Sequence, residues 1–113
     1  MRIRVVFASG AFIGPGKADL LEGIRDTGSI AAAGRRMGMS YKRAWTLAET
    51  LNAMARAPLI TAARGGAGHG GASLTALGAD VLAAYRGMEA KAAEAAADEI
   101  AALRAAVNMS DRK

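Results

Sequence analysis

Lys42 and Arg43, followed by Thr46 and Thr50 at one-turn spacing, set cations and hydroxyls along one side of a helix read from Tyr41 onward. At about 3.6 residues per turn, Ala44, Leu47, Ala48, Leu51 and Ala55 share the opposite side. One face packs and the other can meet a polyanion. Arginine can grip guanine O6 and N7 as a fork, whereas lysine is a less geometric donor that more often neutralises phosphate. Either Arg43 or Lys42 can therefore be the base reader. Thr46 and Thr50 can donate to phosphate or touch a thymine methyl, and Ser40 and Tyr41 can hydrogen-bond backbone phosphates. The competing account is a solvated polar helix face.

The elements that position this face are legible around it. Residues 29–37 form a small-residue helix, and Gly38-Met39-Ser40 follows, with glycine suited to a left-handed helix end and serine to the next helix start. Two short helices joined by a tight turn make the layout of a helix-turn-helix DNA reader. Upstream, Ile3, Val5 and Phe7 alternate with Arg2, Arg4 and Val6, which predicts a half-buried strand over 2–8 and a short return strand around 11–13. Leu20, Leu21 and Ile24 then give a first helix its apolar stripe. Three successive helices are expected, from about Lys17, Ser29 and Ser40. Arg35 and Arg36 end the second as a phosphate clamp or as a solvated pair. Trp45 projects to the edge of the packed face, as a core or boundary residue rather than a base-stacking one.

Residues 58–63 and 72–74 flank the glycine-rich run RGGAGHGG and predict a hairpin, with Arg64 and His69 as contacts for a minor groove or flanking phosphates, or a tip that touches nothing. Gly66, Gly68 and Gly71 have the G-x-G-x-x-G spacing of dinucleotide loops. The residues after them read as a strand, where that motif needs a helix, so nucleotide binding is set aside. From Thr75 a long amphipathic helix is expected, with Val81, Tyr85, Met88 and Ala92, then Ile100, Leu103 and Val107, as its seam and a one-residue slip near Ala96. Alanines bury little area each, so this helix gains by pairing closely with another and reads as a dimer arm. Residues 108–113 are expected to be a disordered tail.

Composition agrees with a nucleic-acid partner. The 113 residues carry a formal charge of +5. It is uneven: residues 1–72 hold ten basic against four acidic residues, and the remainder five against six. Excess positive charge thus travels with the candidate reader. Absence of cysteine removes thiolate metal sites and cysteine nucleophiles, and one histidine cannot make a His-rich metal cluster. The acidic residues are scattered or sit on the tail helix, and His69 has no identifiable catalytic partner, so no enzyme activity and no cofactor are expected. With no membrane-length apolar run and no signal-peptide core, the expected location is cytoplasmic.

The segments GPGKADLLEGIRDTGSIAAAGRRMGMSYKRAW and PLITAARGGAGHGGASLTALG together resemble the amino-terminal winged helix-turn-helix domain of ModE-type, molybdate-responsive transcription regulators. A looser likeness to the DNA-binding domains of LysR-type regulators covers TGSIAAAGRRMGMS and the LT-x-x-G step at Leu74 to Gly78. The resemblance implies a homodimer that lays its recognition helix in the major groove of double-stranded DNA, with the hairpin as wing and the terminal helix joining the protomers. Longer family members continue into Mop domains that bind molybdate or tungstate. The sequence ends before such a domain, so the expectation is a regulator without its own oxyanion-sensing domain. Gly34 departs from the family pattern, at a cost of about 0.5–1 kcal/mol relative to alanine in a helix interior.

The expected architecture is mainly α with a small β-sheet: a winged helix-turn-helix over 1–78, a helical dimerisation arm over 79–107, and the tail. The expected function is a dimeric, sequence-specific transcription regulator. The alternatives are a non-specific architectural nucleoid protein using the same basic face, and an interaction module that pairs with a separate effector-sensing protein.

Overall fold

The computed structural model describes residues 2–64 and 70–107, with residues 63, 64 and 70 described by backbone alone. It is mainly helical with two small antiparallel sheets, as expected. In chain order the elements are β1 (Val5–Val6), β2 (Phe12–Ile13), α1 (Pro15–Thr27), α2 (Ile30–Arg36), α3 (Tyr41–Met54), β3 (Ile60–Arg64), β4 (Gly70–Leu74), α4 (Ala76–Ala95) and α5 (Ala97–Val107). β1 pairs with β2, and β3 with β4 in a register that sets Ile60 opposite Leu74. The expected tail over 108–113 lies outside the described residues.

Local chemistry fixes the helix ends. Ser29 Oγ accepts from the Ala32 amide, Ser40 Oγ from the Arg43 amide, and Thr75 Oγ1 from the Gly78 amide, so each cap satisfies an amide that its helix leaves unbonded. Between α2 and α3 the Gly38 amide donates to the Arg35 carbonyl and the Met39 amide to the Gly34 carbonyl. This double bond set is a Schellman turn, and it needs the left-handed backbone that Gly38 adopts at φ 71°. The turn between the two helices is therefore as short as the sequence predicted.

Leu20, Leu21, Ile24, Ala33, Ala44, Leu51 and Leu59 form the fully buried centre, with α1 packed on α2, α3 and α4. One close approach lies where α2 crosses α3. A Cβ added at Gly34 would stand 2.8 Å from the Ala44 Cβ, a distance that real side chains do not sustain. Gly34, which costs α2 helix propensity, is thus what lets the two helices meet.

Three expectations need correction. The first strand is two residues long, because the chain turns at once: the Phe7 amide donates to the Ala11 carbonyl and the Gly10 amide to the Phe7 carbonyl, leaving Phe7 exposed rather than half buried. The long terminal helix is interrupted at Ala96, where φ −101° and ψ 10° separate α4 from α5 near the position of the predicted slip. The third concerns the seam. Tyr85, expected on that seam, is buried in the chain's own core, and its hydroxyl donates to the Ile3 carbonyl. Val81 and Met88 pack partly against that same core, which therefore extends into α4 past residue 78.

Arg86 fastens this part of α4 to α1, donating to Asp19 at 2.8 Å and to Glu22 at 3.0 Å, and also to Glu89 at 3.0 Å. The Asp19 hydrogen bond first, then Glu89 and Glu22, pushes the guanidinium further above its already high range. The arm beyond Met88 is less engaged: Leu103 and Val107 are exposed and Ile100 is half-buried.

Two measurements check this packing. Gly34→Ala gains about 1 kcal/mol of helix propensity but forces a methyl into the α2–α3 crossing, where overpacking costs about 1–3 kcal/mol. The variant should melt several degrees lower by circular dichroism, and a raised Tm would contradict the crossing. Tyr85→Phe leaves the Ile3 carbonyl without its donor and should lose about 1 kcal/mol at neutral pH. Burial, then Glu89, holds the Tyr85 phenol above its ordinary pKa. Its stabilisation is therefore full below about pH 10 and is lost as pH climbs through the raised folded value. In denaturant titrations the gap between wild type and variant should close in that alkaline window, and a gap constant with pH would refute the assignment.

Candidate nucleic-acid interface

The fold sorts the side chains of α3 as its periodicity requires. Ala44, Ala48 and Leu51 are buried and Leu47 is half-buried, while Tyr41, Lys42, Arg43, Trp45, Thr46, Glu49 and Thr50 are exposed. On the helical projection Lys42, Thr46 and Glu49 point straight away from the core. Arg43 and Thr50 lie along one edge and Tyr41 and Trp45 along the other. Thr46 Oγ1 donates to the Lys42 carbonyl and Thr50 Oγ1 to the Thr46 carbonyl, each at 3.0 Å, so their hydroxyl protons are used within the helix.

At one edge, Trp45 Nε1 donates to the Tyr41 hydroxyl and the two rings meet edge to face with centroids 6.4 Å apart. The pair stands over a notch that Ile30, Ala62 and Ala72 also line, between α2 and the β3–β4 hairpin. Trp45 is 41% exposed, so it lies outside the core. Asn52, which the sequence reading passed over, fixes this hairpin to α3. Its Oδ1 accepts from the Leu59 and Ile60 amides at 2.8 and 2.9 Å, and its Nδ2 donates to the Ile60 carbonyl at 3.0 Å. The Ala72 amide, donating to the Gly28 carbonyl at 2.9 Å, ties the second strand to the turn before α2.

The other edge opens on a cavity of about 390 Å³, lined by Arg2, Arg4, Lys17, Arg43, Thr46 and Thr50 among others, with no carboxylate in its wall. Lys17 is 6% exposed; its Nζ donates to the Phe12 carbonyl at 2.9 Å and lies 3.4 Å from the centre of the Phe12 ring. The Arg4 guanidinium sits 4.5 Å from that same centre. Burial, and then the charge of Arg4, lower the Lys17 pKa. Sequence alternation marks Arg2 and Arg4 as lying on one side of the first strand, but no local signal says that this side borders α3.

The remaining site residues are dispersed. Arg36 donates to Asp26 at 3.3 Å, and Arg25 reaches the same carboxylate at 2.9 Å. The Arg25 hydrogen bond is the main cause that holds the Asp26 carboxyl below its usual range, with Arg36 adding to it. Arg36 is thus engaged within the chain, whereas Arg35 is exposed and makes no ion pair among the described residues. Ser40 is exposed, its oxygen spent on the α3 cap. The side chain of Arg64 and the whole of His69 lie outside the described residues. Among the described residues no helix is long and apolar enough to cross a membrane, and no three His, Asp or Glu group so as to hold a metal ion.

No family model matches the chain. Individual proteins do. It is 44% identical over 90 residues to the molybdenum-pterin-binding protein MopB of Rhodobacter capsulatus, covering 80% of this chain and 33% of that one. It is 41% identical over 70 residues to the molybdenum transport protein ModE of Azotobacter vinelandii, covering 62% and 26%. With the DNA-binding transcriptional dual regulator ModE of Escherichia coli K12 it shares 36% identity over 74 residues, covering 66% and 28%. The chain is therefore a homologue of the ModE and MopB proteins, and it spans a third or less of the length of these relatives.

Proposed function

We propose that this chain is the winged helix-turn-helix part of a ModE-type transcription regulator, which binds double-stranded DNA as a homodimer and reads a roughly two-fold symmetric operator. The observation that carries the reading is the outward face of α3, where Lys42 and Arg43 stand exposed on the first turn, on a helix fixed behind by buried alanine and leucine. Lys42, Thr46 and Glu49 then address base edges: lysine toward a guanine, the threonine methyl toward a thymine methyl, glutamate toward a cytosine amino group. Arg43, at the helix edge, holds phosphate. The β3–β4 hairpin serves as the wing, and Asn52 sets its angle to the recognition helix. The named DNA-binding relative supports the same assignment.

The dimer is proposed to form through the arm. Ile100, Leu103 and Val107 recur at helical spacing on α5, and Ala92 leads into them along α4. A second copy of α5 covers this stripe and sets two α3 helices for half-sites about 34–36 Å apart. The proposed location is the cytoplasm. A broader basic surface, with Arg2 and Arg4 exposed beside α3 and Arg35 exposed on α2, keeps a second reading in play, a nucleoid protein that coats DNA without sequence preference.

Selection of bound fragments from a genomic pool, with random duplex as competitor at physiological salt, separates the two readings. A regulator retains its preferred fragments against the competitor, and Lys42→Ala should relax the preference at one base pair per half-site by about 1–3 kcal/mol. Equal competition by random duplex would overturn the regulator reading. Sedimentation should show a dimer that Leu103→Asp converts to a monomer; a wild-type monomer at tens of micromolar would contradict the arm's role.

A further inference from the structure

The cavity beside α3 collects four cations with no carboxylate in its wall: Arg2 and Arg4 from the amino-terminal segment, Lys17 from the start of α1, and Arg43 from α3. None of the four makes an ion pair among the described residues. Arg25, Arg36 and Arg86, by contrast, are each matched to acidic side chains, whereas Arg35 and Lys42, outside the cavity wall, likewise make no ion pair among the described residues. Like charges crowded around one space repel each other, and the repulsion grows where one of them is buried. Lys17 is such a group. The Phe12 ring offers its face to both Lys17 and Arg4, which orients the two without neutralising either.

We propose that this cavity is a phosphate clamp, in which Arg2, Arg4, Lys17 and Arg43 together hold one backbone phosphate of the DNA strand that flanks the recognition helix. Three features select a nucleic-acid phosphate over a free tetrahedral anion. The cavity volume of about 390 Å³ is well above what a lone oxyanion fills and leaves room for the adjoining sugars. The cavity also shares Arg43, Thr46 and Thr50 with the exposed face of α3, so a strand lying along that face passes its mouth. Finally, Arg2 and Arg4 are exposed and can close over a strand from the side opposite α3. Phosphate contacts of this kind set the register of a reading helix without carrying sequence information. The clamp rests on the DNA-binding reading above and adds to it the amino-terminal segment as a second wall of the interface.

The test uses the full chain carrying Arg2→Ala and Arg4→Ala, singly and together, with Lys91→Ala as a charge-loss control on the exposed arm. Duplex affinity is measured across a salt series, and inorganic sulfate is titrated into the DNA-free protein. The double variant, with an unchanged circular dichroism spectrum, should bind duplex about tenfold more weakly whatever the sequence, and its salt dependence should flatten by about one phosphate per protomer. Lys91→Ala should change neither. If wild type binds duplex and the double variant keeps its affinity and salt slope, the clamp is wrong while the DNA-binding reading stands. If wild type binds no duplex at low salt, the DNA-binding reading itself fails. Micromolar sulfate binding that the double variant abolishes, with duplex affinity unaltered, would assign the cavity to a free anion and overturn the clamp.

Discussion

The contact on which the proposed interface depends is the crossing of α2 and α3 at Gly34 and Ala44. In the proposed reading α3 must be held at a fixed angle and depth, and Gly34 contributes by lacking the methyl that would stand 2.8 Å from the Ala44 Cβ. Helix propensity and packing are opposed at Gly34. Propensity favours alanine by about 1 kcal/mol, whereas the crossing excludes it at a cost of up to about 3 kcal/mol, so packing prevails. The Schellman turn at Gly38 and the Ser40 cap then start α3 after only four intervening residues, 37–40. Every exposed side chain of α3 inherits its direction from that short segment.

Around this crossing the structure divides its charges into two sets. One set is internally neutralised: Arg86 with Asp19, Glu22 and Glu89, and Arg25 and Arg36 with Asp26. These fasten α4 to α1 and the end of α2 to the end of α1. The other set, Arg2, Arg4, Arg35, Lys42 and Arg43, is exposed and has no such partners among the described residues. Keeping Arg2, Arg4 and Arg43 unmatched around one cavity works against the folded state through mutual repulsion, and favours association with a polyanion through the same repulsion relieved. The hairpin adds rigidity, because Asn52 bonds it to α3 through three hydrogen bonds and does not leave its angle to loose loop contacts.

Sequence pattern made the helices legible because each carried a local signal: Leu20, Leu21 and Ile24 at helical spacing, Ser29 and Ser40 as caps, Gly38 as a left-handed stop, and Ala44, Ala48 and Leu51 opposite Lys42 and Thr46. What escaped it depends on contacts distant along the chain. Gly34 reads as a blemish in α2 until Ala44 is seen against it. Tyr85 fits an amphipathic seam equally well whether the seam faces a partner or Ile3, 82 positions upstream. Arg2, Arg4 and Lys17 reach the edge of α3 only because β1 and β2 fold back beside the start of α1. Arg36 was legible as a cation but not as a partner of Asp26, ten positions earlier on another helix.

The central claim is that the outward side of α3, with the cationic cavity at its edge, is where a duplex lies. Amide chemical-shift mapping during titration with a duplex fragment measures this most directly. The account predicts that the largest changes fall on residues 40–50 and on Arg2 and Arg4, with α5 unmoved. Changes confined to α4 and α5, or none on α3 at saturating duplex, would contradict it.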